Sequence, residues 1–416
     1  MTGRVWVTAA TITAVAVVTT GALALGGLMM LGSTMSGSDL VGDSGWNAST
    51  SGTGSIQAAA EARKAMTPDD AAAVALLARA VKSAVSQAYA GRTVTVAGAV
   101  REVVDVANLP GIGTVVTAAG RSAVLAGEGD SSSIADSARV LGLLADNYRV
   151  LRESDQDRTI AGRPTDEVEA RRPDGSLAAR FWLDRGTGLL LRRDLVGADG
   201  KLVASTSFTS LRLGKQAVGP LPPLAADAWS ATLDDGQLAA RRAAGCTCAL
   251  VLPDGLSLLH ARVSDGDTDA DNGGSPDVVH LLYSDGLSEV SVFDQVGQLD
   301  PDSDALTSKG FQRTTYSGVP VLERAVTAGG PDAISEWVWQ CGSSVVTMVA
   351  PAAPYDEAQR RAADIVAALW VPPPSGASDG IATRISRGWD RLVDAVQRSW
   401  DRLTTSTATS HAAGMG

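Results

Sequence analysis

At 416 residues the chain has room for two or three folding units. It is 45% hydrophobic and 19% charged, and 35 Lys and Arg stand against 46 Asp and Glu for a net charge of −11, which excludes a wholly disordered protein and argues against a basic nucleic-acid binder. Three histidines, three cysteines and 4% aromatics exclude zinc ribbons, haem attachment, a dense disulfide framework and a base-stacking platform.

The first element is apolar. From Val5 to Gly32 no residue is charged, and about 20 apolar residues suffice to span a bilayer as a helix. Arg4, the one early cation, keeps the N-terminal end in the cytoplasm and sends the rest out. Residues 1–32 therefore read as a signal anchor, or as a signal peptide cleaved after Ala22-Leu23-Ala24. Either way the bulk of the protein is exported, to the outer face of the cytoplasmic membrane or to the extracytoplasmic space beyond it. Residues 33–66 are rich in Ser and Gly and form a flexible spacer.

Order is expected to begin at Thr67-Pro68-Asp69-Asp70, an N-cap with Pro in the first turn and acids at the positive helix end. Val74, Leu77, Val81 and Val85 follow at helical spacing up to Gly91. Strand-like runs then cover Arg92–Val100, Glu102–Ala107 and Gly113–Ala118, and a second helix covers Ile134–Tyr148. Four strands come next, Asp166–Arg172, Leu177–Asp184, Leu189–Leu195 and Lys201–Leu213, joined by short connections containing Gly. Such connections force an antiparallel meander. In the second of these strands Leu177, Ala179, Phe181 and Leu183 share one face, opposite Ala178, Arg180 and Trp182. Residues 67–218 are thus one domain.

Residues 219–240 read as a linker. Pro220, Pro222 and Pro223 stiffen it into an inter-domain hinge with a limited range of orientations. A smaller domain over 241–371 holds a hairpin at Ser284-Asp285-Gly286, further strands near Val319–Val326, Ser335–Gln340 and Ser343–Val349, and a closing helix after Pro354. Residues 372–416 add a proline linker and a polar tail enclosing an amphipathic helix. Its apolar face is Ile381, Ile385, Trp389, Leu392, Val396, Trp400 and Leu403, a stripe suited to a membrane surface, a partner helix or the protein's own groove.

Catalytic signatures are absent: no G-x-S-x-G elbow, no H-E-x-x-H, no Walker loop. His260 and His280 flank a loop close enough to meet, but no nucleophile–base pair can be named, and the chain reads as a non-enzyme without cofactor or metal. The alternating acids from Asp265 to Gly273 fail the calcium-loop pattern in glycine position and in the missing twelfth-place Glu, so they read as a solvated loop. In an exported chain the thiols should oxidise. Cys246 and Cys248 lie too close to pair readily, so a bridge from one of them, Cys248 by preference, to Cys341 is expected.

Several segments carry a resemblance. Arg163–Leu211, with its strand, Asp-Gly turn, aromatic strand ending in Asp and Leu–Arg strand, resembles the MucB/RseB family of extracytoplasmic sigma-factor regulators. So do the linker Leu221–Leu224, the segment Leu252–Leu256 (LPDGL), the closing helix Ala358–Leu369 and, most specifically, the hairpin Tyr283, Ser284, Asp285, Gly286 and Leu287. The resemblance implies an α+β protein: a lipoprotein-carrier-like domain, a curved antiparallel half-barrel sheet with helices, followed by a smaller α+β domain. It also implies binding to the extracytoplasmic domain of a membrane anti-sigma factor, with a lipid or acyl chain sensed in an apolar cavity. The alternative is a lipid or lipoprotein carrier of the cell envelope. The N-terminal segment contacts the membrane; nucleic acid is not a partner.

Overall fold

The computed structural model describes residues 67–372, apart from short stretches at 98–99, 119–120, 128–130, 154–157, 220–228, 244, 265–277, 298, 300–309, 327–333 and 352–354. The apolar N-terminal run, the prolines Pro220, Pro222 and Pro223, the acidic loop and the amphipathic tail face all lie outside the described residues. Among the described residues no helix is long and apolar enough to cross a membrane.

Chain order begins with helix α1 (Pro68–Ser86), whose start is fixed locally. The Asp70 amide donates to Thr67 Oγ1 and the Thr67 amide to Asp70 Oδ2, both at 3.2 Å, a reciprocal capping box with Pro68 in the first turn. Strands β1 (Tyr89–Ala97), β2 (Val100–Leu109), β3 (Gly113–Ala118) and β4 (Arg121–Gly127) follow, then helix α2 (Ser131–Asn147). The meander comprises β5 (Arg149–Glu153), β6 (Thr159–Ile160), β7 (Arg163–Arg171), β8 (Leu177–Asp184), β9 (Leu190–Val196) and β10 (Leu202–Leu213). Together they form one antiparallel sheet in the order β4-β3-β2-β1-β10-β9-β8-β7-β5, with β6 paired to β7. The sheet is curved but not closed, and β4 and β5 are its edges.

Alternation on β8 works as the sequence pattern requires. Ala179, Phe181 and Leu183 join the core beneath α1 and α2, where Leu77, Val81, Leu144, Val168 and Leu191 are also buried. Each of the Leu, Val and Phe side chains contributes about 1.5–3 kcal/mol. The opposite face is buried too, but ionic. Trp182 is 1% exposed, donates its indole N–H to Glu167 Oε2 at 2.9 Å, and lies beneath the guanidiniums of Arg192 and Arg158 at 4.9 and 5.9 Å. Arg180 reaches across to Glu169 at 2.8 Å.

The second unit begins with β11 (Trp229–Thr232) and α3 (Asp235–Ala243). Its other strands are β12 (Ser257–Ser264), β13 (Val278–Ser284), β14 (Glu289–Val296), β15 (Gln312–Tyr316), β16 (Val319–Val326), β17 (Ile334–Cys341) and β18 (Ser344–Pro351), before helix α4 (Tyr355–Leu369). They form an antiparallel sheet in the order β11-β12-β13-β14-β18-β17-β16-β15. β11 pairs with β12, and Leu238 of α3 enters this unit's core, so part of the stretch that reads as linker belongs to the second unit. Trp337, Trp339, Tyr283 and Val292 pack with Ala362, Ile365, Val366 and Leu369 of α4.

The cysteines depart from expectation. Cys246 bridges to Cys248, and Cys341 is a buried free thiol. The chain turns at Thr247, whose amide and hydroxyl both donate to Asp294 Oδ2, at 2.8 and 2.7 Å, and this brings the flanking Cα atoms to 5.2 Å, within bridging range. Cys341 Sγ faces the end of α4, donating to the Leu369 carbonyl at 2.9 Å, so the expected Cys248–Cys341 bridge does not form.

Candidate functional site

The Tyr283–Leu287 hairpin joins β13 to β14 and is the place where the second unit enters the first. The turn is held from within. Asp285 Oδ1 accepts from the amides of Leu287 at 2.8 Å and Ser288 at 2.6 Å, and Ser284 Oγ accepts from the Gly286 amide at 3.0 Å. Tyr283 anchors its base by donating its hydroxyl to the Ala249 carbonyl at 2.9 Å.

The tip of this turn presses on α2. Gly286 has φ +97°, and a Cβ there would lie 2.3 Å from the Leu144 backbone nitrogen, so only glycine allows the approach. Leu287, next along, is 7% exposed and belongs to the hydrophobic cluster of the first unit rather than its own. Side chains of the first unit then read the backbone of the turn. Asn147 Nδ2 donates to the Asp285 carbonyl at 3.0 Å, and Arg193 Nη2 donates to the Leu287 carbonyl at 2.7 Å. The Tyr148 hydroxyl donates to Asp285 Oδ2 at 3.1 Å.

A second Asp-Gly-Leu segment stands beside the first. Asp254, Gly255 and Leu256 form a tight turn with Gly255 at φ +73°, and its carbonyl accepts from the same Asn147 amide at 3.3 Å. Behind both turns lies Arg361 of α4, 3.4 Å from Asp254 and 3.8 Å from Asp285. Further along, Arg139 of α2 donates to the carbonyls of Leu258 and Leu259 at 2.9 and 2.8 Å. The joint is therefore a pair of Asp-Gly-Leu turns gripped by Asn147, Tyr148 and Arg193, with Arg139 holding the start of β12 beside them.

Its electrostatics follow from burial. Arg193 is 6% exposed on the apolar face of β9, and loss of hydration lowers its guanidinium to about 10, offset by the charges of Glu289 and Asp285 from the second unit. It stays cationic at neutral pH. Burial, then the Asp285 carboxylate, raises Tyr148 above its ordinary value, which keeps it a donor. The site thus buries a cation and an anion from opposite units at one seam, a geometry strongly destabilised when one partner is removed.

Sequence reasoning found the turns but not what receives them. Arg193 shares a strand face with Leu191 and Leu195, and that charge at an apolar position of the alternation was the available signal. Asn147 and Tyr148 carried none. The two histidines do meet: their rings lie 6.0 Å apart, and His280 stacks on Phe293 at 4.6 Å with Nε2 3.1 Å from Ser291 Oγ. Burial first, then the charges of His260 and Arg262, lowers His280 to about 3. Among the described residues no cluster of His, Cys, Asp and Glu is arranged to hold a metal ion.

Residues 78–233 match the family model described as the MucB/RseB N-terminal domain, a span that takes in the whole first sheet from β1 to β10. Over this span, a little over a third of the chain, the protein is similar to the MucB/RseB family. Solved structures similar to it include a crystal structure of MucB in complex with MucA(peri), at 20% identity over 70% of this chain and 97% of that one, with a TM-score of 0.38. The Pseudomonas aeruginosa MucA/MucB complex matches at 21% identity over 70% and 97%, TM-score 0.37, and a crystal structure of MucB at 20% over 71% and 97%, TM-score 0.37. No curated protein sequence matches the chain. LPDGL and YSDGL, the segments that carried the resemblance in the second unit, lie outside that match and are the two turns of the joint.

Proposed function

We propose that the protein is an extracytoplasmic regulator that binds the extracytoplasmic part of a membrane anti-sigma factor and responds to a lipid or acyl chain. The observation that carries this reading is the MucB/RseB domain match over residues 78–233. The joint supports it as well. A chain whose second unit inserts a leucine into the core of the first is built so that events in one unit reach the other. The apolar run Val5–Gly32 would place the protein at the membrane where an anti-sigma factor resides. No catalytic step is part of this function.

The test is crosslinking in the native envelope. A tagged full chain is crosslinked in cells, purified under denaturing conditions and analysed for attached peptides. Recovery of one single-pass anti-sigma protein, crosslinked through its extracytoplasmic part, is the expected result. Recovery of lipid with no anti-sigma peptide in repeated experiments would leave a carrier and sink the regulator.

A further inference from the structure

We propose that the Cys246–Cys248 bridge is a thiol–disulfide exchange site, opened by dithiol reductants of the exported compartment, with Cys246 as the sulfur attacked. The site stands whether or not the protein binds an anti-sigma factor. The bridge is poorly placed to hold the fold and well placed to react. Only Thr247 separates the two cysteines. The stabilisation a disulfide supplies grows with the loop it closes, and this loop holds a single intervening residue. The turn is also fixed without it. Thr247 donates its amide and hydroxyl to Asp294 Oδ2 at 2.8 and 2.7 Å, and the Cys246 amide donates to the Arg241 carbonyl at 3.0 Å.

The two sulfurs are not equivalent. Cys248 is 1% exposed and belongs to the second unit's core, whereas Cys246 is only partly buried against that core. The approach to Cys246 is open: Gly245 before it is exposed, and a Cβ built there meets nothing within 4 Å. A thiolate arriving from solvent therefore reaches Cys246 and makes Cys248 the leaving group. Cys341 stays out of the exchange. Its buried Sγ donates to the Leu369 carbonyl at 2.9 Å and accepts from the Val371 amide at 3.3 Å, and burial pushes its thiol up.

The chemistry is a two-electron exchange. One thiolate of the dithiol bonds to Cys246 Sγ, the Cys246–Cys248 bond breaks, and Cys248 leaves as a thiolate that takes a proton from water. The second thiolate of the dithiol then attacks its own partner sulfur in the mixed disulfide and releases Cys246, which is protonated in turn. The bridge gains two electrons and the reductant leaves as a disulfide; a disulfide-bearing oxidant reverses both steps. The Thr247–Asp294 clasp involves no sulfur, so it keeps the reduced cysteines side by side and makes reclosure intramolecular.

Treating the full chain with dithiothreitol, quenching with iodoacetamide and mapping the peptides by mass spectrometry tests this. The native protein should lose the bridge at a rate within about tenfold of that in denaturing urea, with its tryptophan fluorescence unchanged and Cys341 unlabelled. Glutathione disulfide, added once the reductant is removed, should restore the Cys246–Cys248 peptide. Two variants read the direction of attack. Cys248→Ser, which leaves Cys246 free, should take up glutathione from glutathione disulfide about tenfold faster than Cys246→Ser, whose remaining thiol is buried. The parent measurement decides alone if either variant fails to fold. Reduction that proceeds only as fast as the protein unfolds leaves a structural bridge and overturns the site. Equal glutathione uptake by the two folded variants, or reoxidation into a bridge with Cys341, overturns it as well.

Discussion

Gly286→Ala isolates the grip of the joint. An added Cβ would sit 2.3 Å from the Leu144 nitrogen, 2.5 Å from its Cα and 2.8 Å from its Cβ, and neither backbone atom can swing aside as a side chain would. Carbon atoms settle about 3.5–4.0 Å apart, so the turn has to withdraw by about 1 Å. The hydrogen bonds across the seam start at 2.7, 3.0 and 3.1 Å, and a retreat of that size takes them past useful length. Each loss at a buried group costs about 1–3 kcal/mol, and placing Ala at φ +97° adds about 1–2 kcal/mol. Since the three bonds fail together, a total of about 3–6 kcal/mol is expected rather than their full sum.

Gly200→Ala is the matched control. Gly200 sits at φ +77° with nothing within 4 Å of the added carbon, so it reports backbone strain alone. Urea unfolding followed by tryptophan fluorescence reads both variants, since Trp182 is buried in the first unit and Trp337 and Trp339 in the second. Gly286→Ala should lose at least about 2 kcal/mol more than Gly200→Ala and should separate the unfolding of the two units. Equal losses, within about 0.5 kcal/mol, would show that the close approach at Leu144 carries no energy and would refute the reasoning.

Three other outcomes are expected. Glu167→Ala strips the acceptor from the buried Trp182 indole and the anion from beneath Arg180, and should cost about 2–4 kcal/mol in urea unfolding, with Glu167→Gln costing less. His280, held neutral with its pKa lowered from 6.5 to about 3, binds its proton in the unfolded chain first, so stability should fall as pH drops from about 6.5 towards 3. The slope from this residue is at most about 1.4 kcal/mol per pH unit, and His280→Gln should flatten it in a series of denaturant midpoints. Non-reducing peptide mapping should recover Cys246 linked to Cys248, and iodoacetamide at pH 8 should spare Cys341, whose thiol burial pushes up, until the protein is unfolded. A Cys248–Cys341 peptide would overturn that pairing.

Local chemistry was legible wherever the chain writes it locally. The Thr67 cap, the Asp-Gly turns and the alternation of β8 all depend on residues within a few positions of each other, and each stands where the pattern places it. Long-range pairing was not. That β1 lies against β10, Tyr89 opposite Leu213, follows from how the sheet curves around α1, which no short window contains. The cysteines show the same limit: sequence separation argued against Cys246–Cys248, whereas the two are bridged across a turn whose Thr247 is bonded to Asp294, 47 positions away. At the joint the hairpin could be read as a turn, but its receiving groups Asn147 and Tyr148 look like any helix end.

The two Asp-Gly-Leu segments show why motif and role separate in this chain. They share a glycine with positive φ and an aspartate that faces Arg361, but Asp254 is itself at φ +62° whereas Asp285 is not in the left-handed region. Their leucines go to different places. Leu256 is fully buried in the second unit's own cluster, whereas Leu287 is buried in the first unit's. Propensity cannot produce that difference, because the three residues are the same. Surroundings do: Asp285 is 1% exposed and bound by Tyr148, so its turn is drawn into the seam, while Asp254 remains half exposed at its edge. One turn therefore completes its own core and the other borrows its neighbour's. Of the two leucines, then, only Leu287 owes its burial to the joint; Leu256 would keep its surroundings if the units were separated.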